Sequence, residues 1–283
     1  MYKLTSPKKI DEIIKRHQFY VNKKYGQNFL TDANIIEKIL EGAGITQDDD
    51  VLEIGPGIGT LTQYLCERAR HVLAVEIDKN LIPILQETLQ EYTNITLINK
   101  DILKMNLYEE ITEIFNNKCK VIANLPYYIT SEIIMRLLEQ NLPVDSITVM
   151  VQKEVAQRMI ASPGKKDYGS LSVAVQYYSQ PEIVAIVPNT VFMPQPKVDS
   201  AVIHLKILNK PIVEVDKYIF FKVVRAAFAT RRKTLLNCLS SGLSMEKEKM
   251  EALLLESNID PKRRGETLSL DEFAQITNLI DSF

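Results

Sequence analysis

The chain has 283 residues, of which 46% are hydrophobic and 25% charged, and its formal net charge is −2. This composition is typical of a globular protein with one large domain or two smaller ones. No apolar run approaches the ~20 residues that span a membrane, and the charged N-terminus lacks the apolar region of a secretory signal.

The N-terminal segment, residues 1–30, is predicted to be a basic segment that could act as a flexible lid. Its acidic residues, Asp11 and Glu12, are outnumbered by cationic side chains. The cations are Lys3, Lys8, Lys9, Lys15, Arg16, Lys23 and Lys24. In a chain of negative net charge, such a local cluster indicates a surface that can attract an anionic partner.

Residues 31–208 alternate short apolar runs with segments of helical periodicity. The strand-like runs, rich in Val, Ile and Leu, are DVLEIG, HVLAVEID, ITLINKD and CKVIANL. Helical spacing occurs between them, in GTLTQYLCERAR and KNLIPILQETLQEY. This alternation predicts a doubly wound α/β sheet of mostly parallel strands. Three further runs, DSITVMVQ, PEIVAIVP and SAVIHLKIL, have no long helix predicted between them and would add an antiparallel edge.

The pattern changes near Pro211, and residues 209–283 are predicted to form a small all-helical domain. Its helix-like runs are DKYIFFKVVRAAFATRRKTLLNCL, SMEKEKMEALLLES and SLDEFAQITNLI. In the last run, Ser269 and Glu272 have the spacing of a capping box. Two basic clusters stand out in this part of the chain: Arg225, Arg231, Arg232 and Lys233, and the run Lys262, Arg263 and Arg264.

Cysteines and histidines indicate no metal or disulfide. Cys66, Cys119 and Cys238 are scattered and odd in number, which is typical of free thiols in a reducing cytoplasm. The three histidines are distant in sequence from one another, and none is adjacent to a cysteine. We therefore expect a cytoplasmic protein without a metal site.

Three glycines, Gly55, Gly57 and Gly59, lie between a predicted strand and a predicted helix. Glycines at such a turn let the backbone turn sharply and let a ligand approach closely. The dinucleotide template G-x-G-x-x-G fails because its sixth position is Thr60, and no Gly-Lys-Ser/Thr completes a P-loop. The turn alone is therefore compatible with a ligand or with none.

Polar residues end the next three predicted strands: Glu76, Asp101 and Asn124. Ligands of open parallel sheets bind outside the carboxyl ends of the strands. An acidic residue about 20 positions after a glycine turn can accept hydrogen bonds from ribose hydroxyls. Together with Gly55, these residues predict a ligand that contains a nucleoside.

The strand order and the E-x-G-x-G-x-G run from Glu53 to Gly59 resemble those of the class I S-adenosylmethionine-dependent methyltransferases. The resemblance implies S-adenosylmethionine as the methyl donor. It also implies that Gly55 lies against the methionine part, that Glu76 holds the ribose and that Asp101 approaches the adenine ring.

The run NLPYYIT begins with Asn124, an unusual residue at the end of a buried strand because a buried amide needs hydrogen-bond partners. An exocyclic adenine amine is a poor nucleophile because its lone pair is delocalised into the ring. Acceptors at the Asn124 side-chain oxygen and the Leu125 carbonyl could localise that lone pair and aim it at a methyl donor. Pro126 would stiffen the corner, and Tyr127 would offer a flat face for the base. These four are the predicted catalytic residues.

The sequence is similar to the KsgA/RsmA family, the small-subunit ribosomal RNA adenine N6,N6-dimethyltransferases. The resemblance lies in YGQNFL (25–30), EIGPGIGTLT (53–62), ANLPYY (123–128), VQKEVAQRM (151–159), VFMPQPKVDSAV (191–202) and NIDPKRRGETLSLDEF (258–273). It implies that two neighbouring adenosines near the 3′ end of 16S rRNA each receive two methyl groups. It also implies that Asn28 and Leu30 close over the cofactor, which Asn124 contacts as well.

The resemblance also implies that Phe192 faces Tyr127 across the target adenine. Arg231, Arg232 and Lys233 are predicted to hold the RNA backbone, since target choice in folded RNA rests largely on shape and phosphate contacts. The expected partner is 16S rRNA within a pre-30S or 30S particle. No membrane and no obligatory protein partner is predicted.

Two alternatives stay open. An Erm-type 23S rRNA methyltransferase uses the same chemistry, although such enzymes more often have Ile at the position of Leu125. An assembly or binding factor could instead have the methyltransferase fold without its activity, although the residues from Glu53 to Gly59, with Glu76, Asp101 and Asn124, argue against a silent site.

Overall fold

The predicted strands form one seven-stranded sheet in the computed structural model, which describes residues 3–22 and 25–281. A short strand pair accompanies it. In chain order the strands are β1 (Phe29–Leu30), β2 (Asp50–Ile54), β3 (His71–Glu76), β4 (Ile95–Asn99), β5 (Cys119–Asn124), β6 (Val144–Gln152), β7 (Ser179–Val187), β8 (Phe192–Met193) and β9 (Ser200–Ile207).

The helices follow the same alternation in the first part of the chain and then dominate the second. In chain order they are α1 (Pro7–Arg16), α2 (Ala33–Ala43), α3 (Thr60–Arg68), α4 (Ile82–Thr88), α5 (Leu107–Ile114), α6 (Thr130–Glu139), α7 (Lys153–Ile160), α8 (Ser170–Tyr178), α9 (Lys217–Phe228), α10 (Leu235–Leu243), α11 (Lys247–Glu256) and α12 (Leu270–Asp281).

The order of strands across the large sheet is β4-β3-β2-β5-β6-β9-β7. Neighbouring strands from β4 to β6 are parallel, and β9 is antiparallel to β6. The predicted fold, a mostly parallel class I methyltransferase sheet with an antiparallel edge, is confirmed. Parallel order places the carboxyl ends of β2, β3, β4 and β5 at one edge, where ligands of such sheets bind.

Burial on both faces explains why the central strands are continuous apolar runs. All five residues of β2 are buried, and so are most of β3 and β5. Helix α2 packs Ile36 and Leu40 into the same core cluster as Val51 and Ile122 of the sheet. Parallel strands covered by helices on their faces have this composition because no face meets water.

The described part of the N-terminal segment packs against the sheet unit. Leu4, Ile10 and Ile13 are almost fully buried, and they share a core cluster with residues of α4. The main-chain N–H of Leu4 donates to Gln63 Oε1 at 3.2 Å. Residues 4–19 are therefore anchored, whereas Lys23 and Lys24 of the predicted basic segment lie outside the described residues.

The chain divides into two compact units, and each is discontinuous in sequence. The first consists of residues 1–156 and 182–207, and the second of residues 157–181 and 208–283. The predicted functional domains, residues 1–30, 31–208 and 209–283, are continuous and differ from these units. The division into these three functional domains stays a prediction.

Two helices, α7 and α8, interrupt the three runs for which we expected no long helix in between. Both lie between β6 and β7, and they are separated by a turn that contains Pro163 and Gly164. Helix α8 packs Val173 and Tyr177 into the core of the second unit. Both helices are short, with 8 and 9 residues, so no long helix separates these runs, as expected.

The first predicted C-terminal helix is divided into α9 and α10. The first two residues of α10 bond to another loop: the N–H of Leu235 donates to the Arg263 carbonyl and that of Leu236 to the Pro261 carbonyl. Helical spacing alone cannot reveal such a partner. The predicted capping box is confirmed, since the N–H of Ser269 donates to Glu272 Oε2 at 2.8 Å and the N–H of Glu272 donates to Ser269 Oγ at 3.2 Å.

We predict that Phe220→Ala strongly destabilises the helical unit. The Phe220 side chain is fully buried and contacts the rings of Tyr177 and Phe273, so that truncation leaves a cavity. The free energy of unfolding should fall by about 3–5 kcal/mol. Urea unfolding of the full chain, followed by circular dichroism, measures it. The matched control on the same helix is Tyr218→Ala, at a side chain that is 72% exposed, and it should change stability by about 0.5 kcal/mol or less. Equal losses for both variants would contradict the prediction.

Candidate active site

The glycine turn after β2 has the left-handed backbone that its composition predicts. Gly55, Gly57 and Gly59 have φ values of +69°, +62° and +90°. A Cβ at Gly59 would lie 3.0 Å from Thr88 Oγ1, so close packing excludes a side chain there. A Cβ at Gly55 would meet no atom within 4 Å and would occupy open space instead. The backbone at Gly55 therefore faces a cavity that a ligand can fill.

One pocket brings together most of the predicted site residues. It is lined by the lead-in to β1, the glycine turn, the end of β3 and the corner after β5. The predicted residues among its walls are Asn28, Leu30, Gly55, Glu76, Asn124, Leu125, Pro126 and Tyr127. Ile77 and Leu81 add apolar surface. Segments distant in sequence thus form one site at the carboxyl edge of the sheet.

Two buried carboxyl groups lie in the walls of this pocket. Glu53 is 1% exposed, and among the described residues its Oε2 has no hydrogen-bond partner. Burial raises the pKa of Glu53 to about 8; a hydrogen bond with Thr62 opposes this effect, and the nearby charge of Glu76 adds to it. Burial also raises the pKa of Glu76 to about 7, although Glu76 accepts hydrogen bonds from the N–H groups of Gly57 and Asp78. An unpaired buried acceptor is costly, and a cationic or hydroxyl-bearing ligand would relieve that cost.

These features fit S-adenosylmethionine. Its positive charges match the unpartnered Oε2 of Glu53, and its ribose hydroxyls match the Glu76 carboxyl. The open space at Gly55 admits a ligand close to the backbone, and Ile77 and Leu81 provide apolar contact for a flat ring.

The Asn124 amide is anchored through its nitrogen. Nδ2 donates to the main-chain carbonyl of Asn28 at 2.9 Å, which ties the corner after β5 to the lead-in of β1. The side-chain oxygen is therefore the end of the amide that can accept from a ligand. The corner itself is held by a bond from the Leu125 N–H to the Met150 carbonyl, and the Pro126 carbonyl accepts from Thr130 Oγ1 at 3.0 Å.

The Tyr127 side chain is half-buried and fixed at its far end. Its hydroxyl lies 2.6 Å from Ser200 Oγ at the start of β9. Burial raises the pKa of Tyr127, and the charge of Asp199 acts in the same direction. The phenol is therefore neutral at ordinary pH and can take part in this hydrogen bond as a donor.

Two predicted site residues lie elsewhere. Asp101 does not line the pocket; its carboxylate accepts from the Leu103 N–H at 3.0 Å and lies 3.7 Å from Lys104 Nζ. Phe192 is 5% exposed, pairs with Leu30 across β1 and β8, and packs in the sheet core. The Phe192 ring is not among the walls of the pocket, and its contact with a target base opposite Tyr127 stays a prediction.

The predicted RNA-binding residues lie in the second unit. Arg232 and Lys233 are exposed, as expected for phosphate contacts. Arg231 also has internal partners: Nε donates to Glu266 Oε2 at 2.7 Å and Nη2 donates to the Lys166 carbonyl at 2.6 Å. Arg231 therefore joins two other loops of the same unit, a structural role that the sequence did not predict.

Two residues of the site were missed as candidates. Glu53 was noted only as part of the glycine run, although an acidic residue within a buried strand is itself a signal. Gln27 lines the pocket, and its Nε2 donates to Asp78 Oδ2 at 2.8 Å, which joins the lead-in of β1 to the loop after β3. Only the folded chain shows that partner.

Two searches of the described residues had negative results. Across 3–22 and 25–281, no group of three or more His, Cys, Asp and Glu side chains could hold a metal ion. No helix in that part of the chain combines the length and the apolar character needed to cross a bilayer.

The chain matches the ribosomal RNA adenine dimethylase family over residues 18–281. It is 54% identical over 281 residues to ribosomal RNA small subunit methyltransferase A of Alkaliphilus oremlandii, and this alignment covers 98% of each chain. It is 52% identical over 286 residues to the protein of that name in Bacillus cytotoxicus, which covers 99% of this chain and 98% of the other.

Solved structures show the same fold. A dimethyladenosine transferase from Plasmodium falciparum has a TM-score of 0.77 at 24% identity and covers 90% of this chain and 98% of that one. The 23S rRNA methyltransferase ErmE has a TM-score of 0.68 at 28% identity and covers 90% of this chain and 100% of that one. Since the family match spans most of the sequence and the relatives align over nearly their whole length, the chain belongs to the ribosomal RNA adenine dimethylase family.

Proposed function

We propose that this protein uses S-adenosylmethionine to methylate N6 of two adjacent adenosines near the 3′ end of 16S rRNA, each of them twice, within a pre-30S or 30S particle. Membership of the family confirms the general class, an S-adenosylmethionine-dependent rRNA adenine dimethyltransferase. The observation that carries the proposal is the anchored Asn124 amide, which lies in the same pocket as the open glycine turn. On this proposal the protein acts on ribosomal particles in the cytoplasm.

The cofactor side of the pocket is assigned to the glycine turn and its neighbours. When bound, S-adenosylmethionine supplies an electrophilic methyl group on a sulfonium sulfur. Glu53 would face its positive charge, Glu76 would accept from the ribose hydroxyls, and Gly55 would leave room for the methionine part. Asn28 and Leu30 close the pocket from the β1 side. Asp101, whose Oδ1 accepts from the Leu103 N–H, is assigned to the adenine ring.

The substrate side is assigned to the corner after β5. Asn124 Oδ1 and the Leu125 carbonyl accept hydrogen bonds from the two N6–H bonds and draw the nitrogen toward tetrahedral geometry. Its lone pair then points at the methyl group, and this positioning lowers the barrier without a strong base. The methylated ammonium product is acidic enough to lose its proton to water. The Tyr127 ring supports the unstacked base, a contact worth about 1–3 kcal/mol.

The most direct test maps the methyl groups. We predict that labelled S-adenosylmethionine and 30S particles lacking the modification yield N6,N6-dimethyladenosine in 16S rRNA after digestion. Unmodified 50S particles, incubated in parallel, are the control and should stay unlabelled. Label in 23S rRNA would support an Erm-type activity instead, and cofactor binding without any transfer would support a silent fold.

We predict that Asn124→Ala lowers the transfer rate by at least about 100-fold, because it removes an acceptor at the reacting amine. Binding to 30S particles should be largely retained, since the RNA backbone is held elsewhere. Single-turnover assays measure the rate of methyl transfer, and filter binding measures the affinity for 30S particles. Asn116→Ala, at an exposed asparagine outside the pocket, is the matched control. Loss of particle binding with Asn124→Ala would show a structural role instead.

We predict that the affinity for S-adenosylmethionine rises between pH 6 and pH 8. With pKa values of about 8 and about 7, Glu53 and Glu76 hold protons in the free protein at pH 6. A cationic ligand favours the ionised carboxylates, so binding releases protons and gains up to about tenfold in affinity per pH unit for each group. Titration calorimetry in buffers of different ionisation enthalpy measures both the affinity and the number of protons released. Glu53→Gln should reduce the slope, and a slope unchanged by this substitution would contradict the assignment.

A further inference from the structure

We infer that Ser200 is a positioning residue that holds the Tyr127 ring in the place needed to support the target base. The inference rests on the proposed transfer to adenine. Its basis is the 2.6 Å contact between the Tyr127 hydroxyl and Ser200 Oγ. Ser200 itself is fully buried and does not line the pocket, so it acts through Tyr127 and not by touching the ligands.

The position of Ser200 is fixed by its surroundings. Ser200 is paired with Gln152 at the end of the β6–β9 ladder. The preceding residue, Asp199, accepts from the Lys153 N–H at 3.0 Å through its carbonyl, and from the Asn189 N–H at 3.1 Å through its carboxylate. The first bond holds the start of β9 to the end of β6, and the second holds it to the segment that follows β7. Ser200 is therefore a rigid support for the phenol.

The geometry of a tyrosine explains why such a support matters. The side chain can rotate about two bonds, and rotation about the Cα–Cβ bond moves the whole ring. A hydrogen bond at the far end, the hydroxyl, restricts this rotation and so fixes where the ring lies. A ring that is held before the base arrives loses less conformational freedom on stacking, which is the advantage of preorganisation.

The segment VFMPQPKVDSAV contributes to the site through another residue than the sequence suggested. The sequence suggested Phe192 as its contribution, opposite Tyr127. In the structure the Phe192 ring packs in the core, while Ser200 of the same segment contacts Tyr127 directly. The segment therefore contributes to the site through a hydroxyl that orients the stacking residue.

The test is a double-mutant cycle with Ser200→Ala and Tyr127→Phe, which remove the two ends of one hydrogen bond. Methyl transfer to unmodified 30S particles is measured for each variant and for the pair. We expect Ser200→Ala to lower kcat by about two- to tenfold, the range that corresponds to one hydrogen bond. KM for the particle and the cofactor Kd should be unchanged. The double variant should be no slower than Tyr127→Phe alone.

Three results would overturn the inference. They are an unchanged kcat for Ser200→Ala, an equal additional loss when Ser200→Ala is added to Tyr127→Phe, and a loss that appears only in the cofactor Kd. Should Ser200→Ala fail to fold, Tyr127→Phe alone is decisive, because an unchanged kcat in that variant removes any role for the bond.

A matched control separates positioning from general packing. Ser146 is a buried serine on β6 whose hydroxyl has no hydrogen-bond partner among the described residues. Ser146→Ala should leave kcat unchanged. Failure of the proposed function is distinguishable, since it would appear as an absence of transfer by the unaltered protein, before any variant is compared.

Discussion

The hydrogen bond from the Asn124 side chain to the Asn28 carbonyl connects the two sides of the candidate site. The partners are 96 residues apart in sequence, one at the end of a central strand and the other in the lead-in to β1. The bond orients an amide whose nitrogen is already used, so its oxygen is left for a ligand. The wall of the pocket and the orientation of the reacting group thus depend on the same contact.

A second constraint is the low polarity of the pocket around its carboxyl groups. Glu53 and Glu76 are both nearly inaccessible to water, and burial disfavours their charged forms. Such sites bind cations well because the positive charge of the ligand stabilises carboxylates that water does not reach. The glycine turn gives the ligand access to the same space. The free pocket and the cofactor-bound pocket therefore differ in the number of protons that the two carboxyl groups hold, as well as in their contacts.

The sequence predicted the sheet well and the site in large part. The seven strands are Val-, Ile- and Leu-rich runs separated by glycines, prolines and helical segments, and local pattern is sufficient to recognise them. Gly55, Glu76 and Asn124 were predicted because the carboxyl edge of a parallel sheet is set by topology alone. The capping box at Ser269 was predicted because it depends on only four consecutive residues.

What the sequence could not show depends on contacts between distant segments. The orientation of Phe192 follows from its pairing with Leu30, and the link from Tyr127 to Ser200 spans 73 residues. The break after α9 and the internal partners of Arg231 likewise come from loops far along the chain. Periodicity reports which face of an element is apolar, and it carries no information about which loop will meet it.

The interleaving of the two units has a consequence for how the protein can be divided. The chain passes from one unit to the other after residues 156, 181 and 207. A fragment that ends near residue 208 would retain α8, with the apolar side chains of Val173 and Tyr177, but would lose the helices that bury them. A fragment that begins there would lack those same side chains from its core. A single crossover near residue 208 between two relatives would therefore place α8 of one parent against the C-terminal helices of the other.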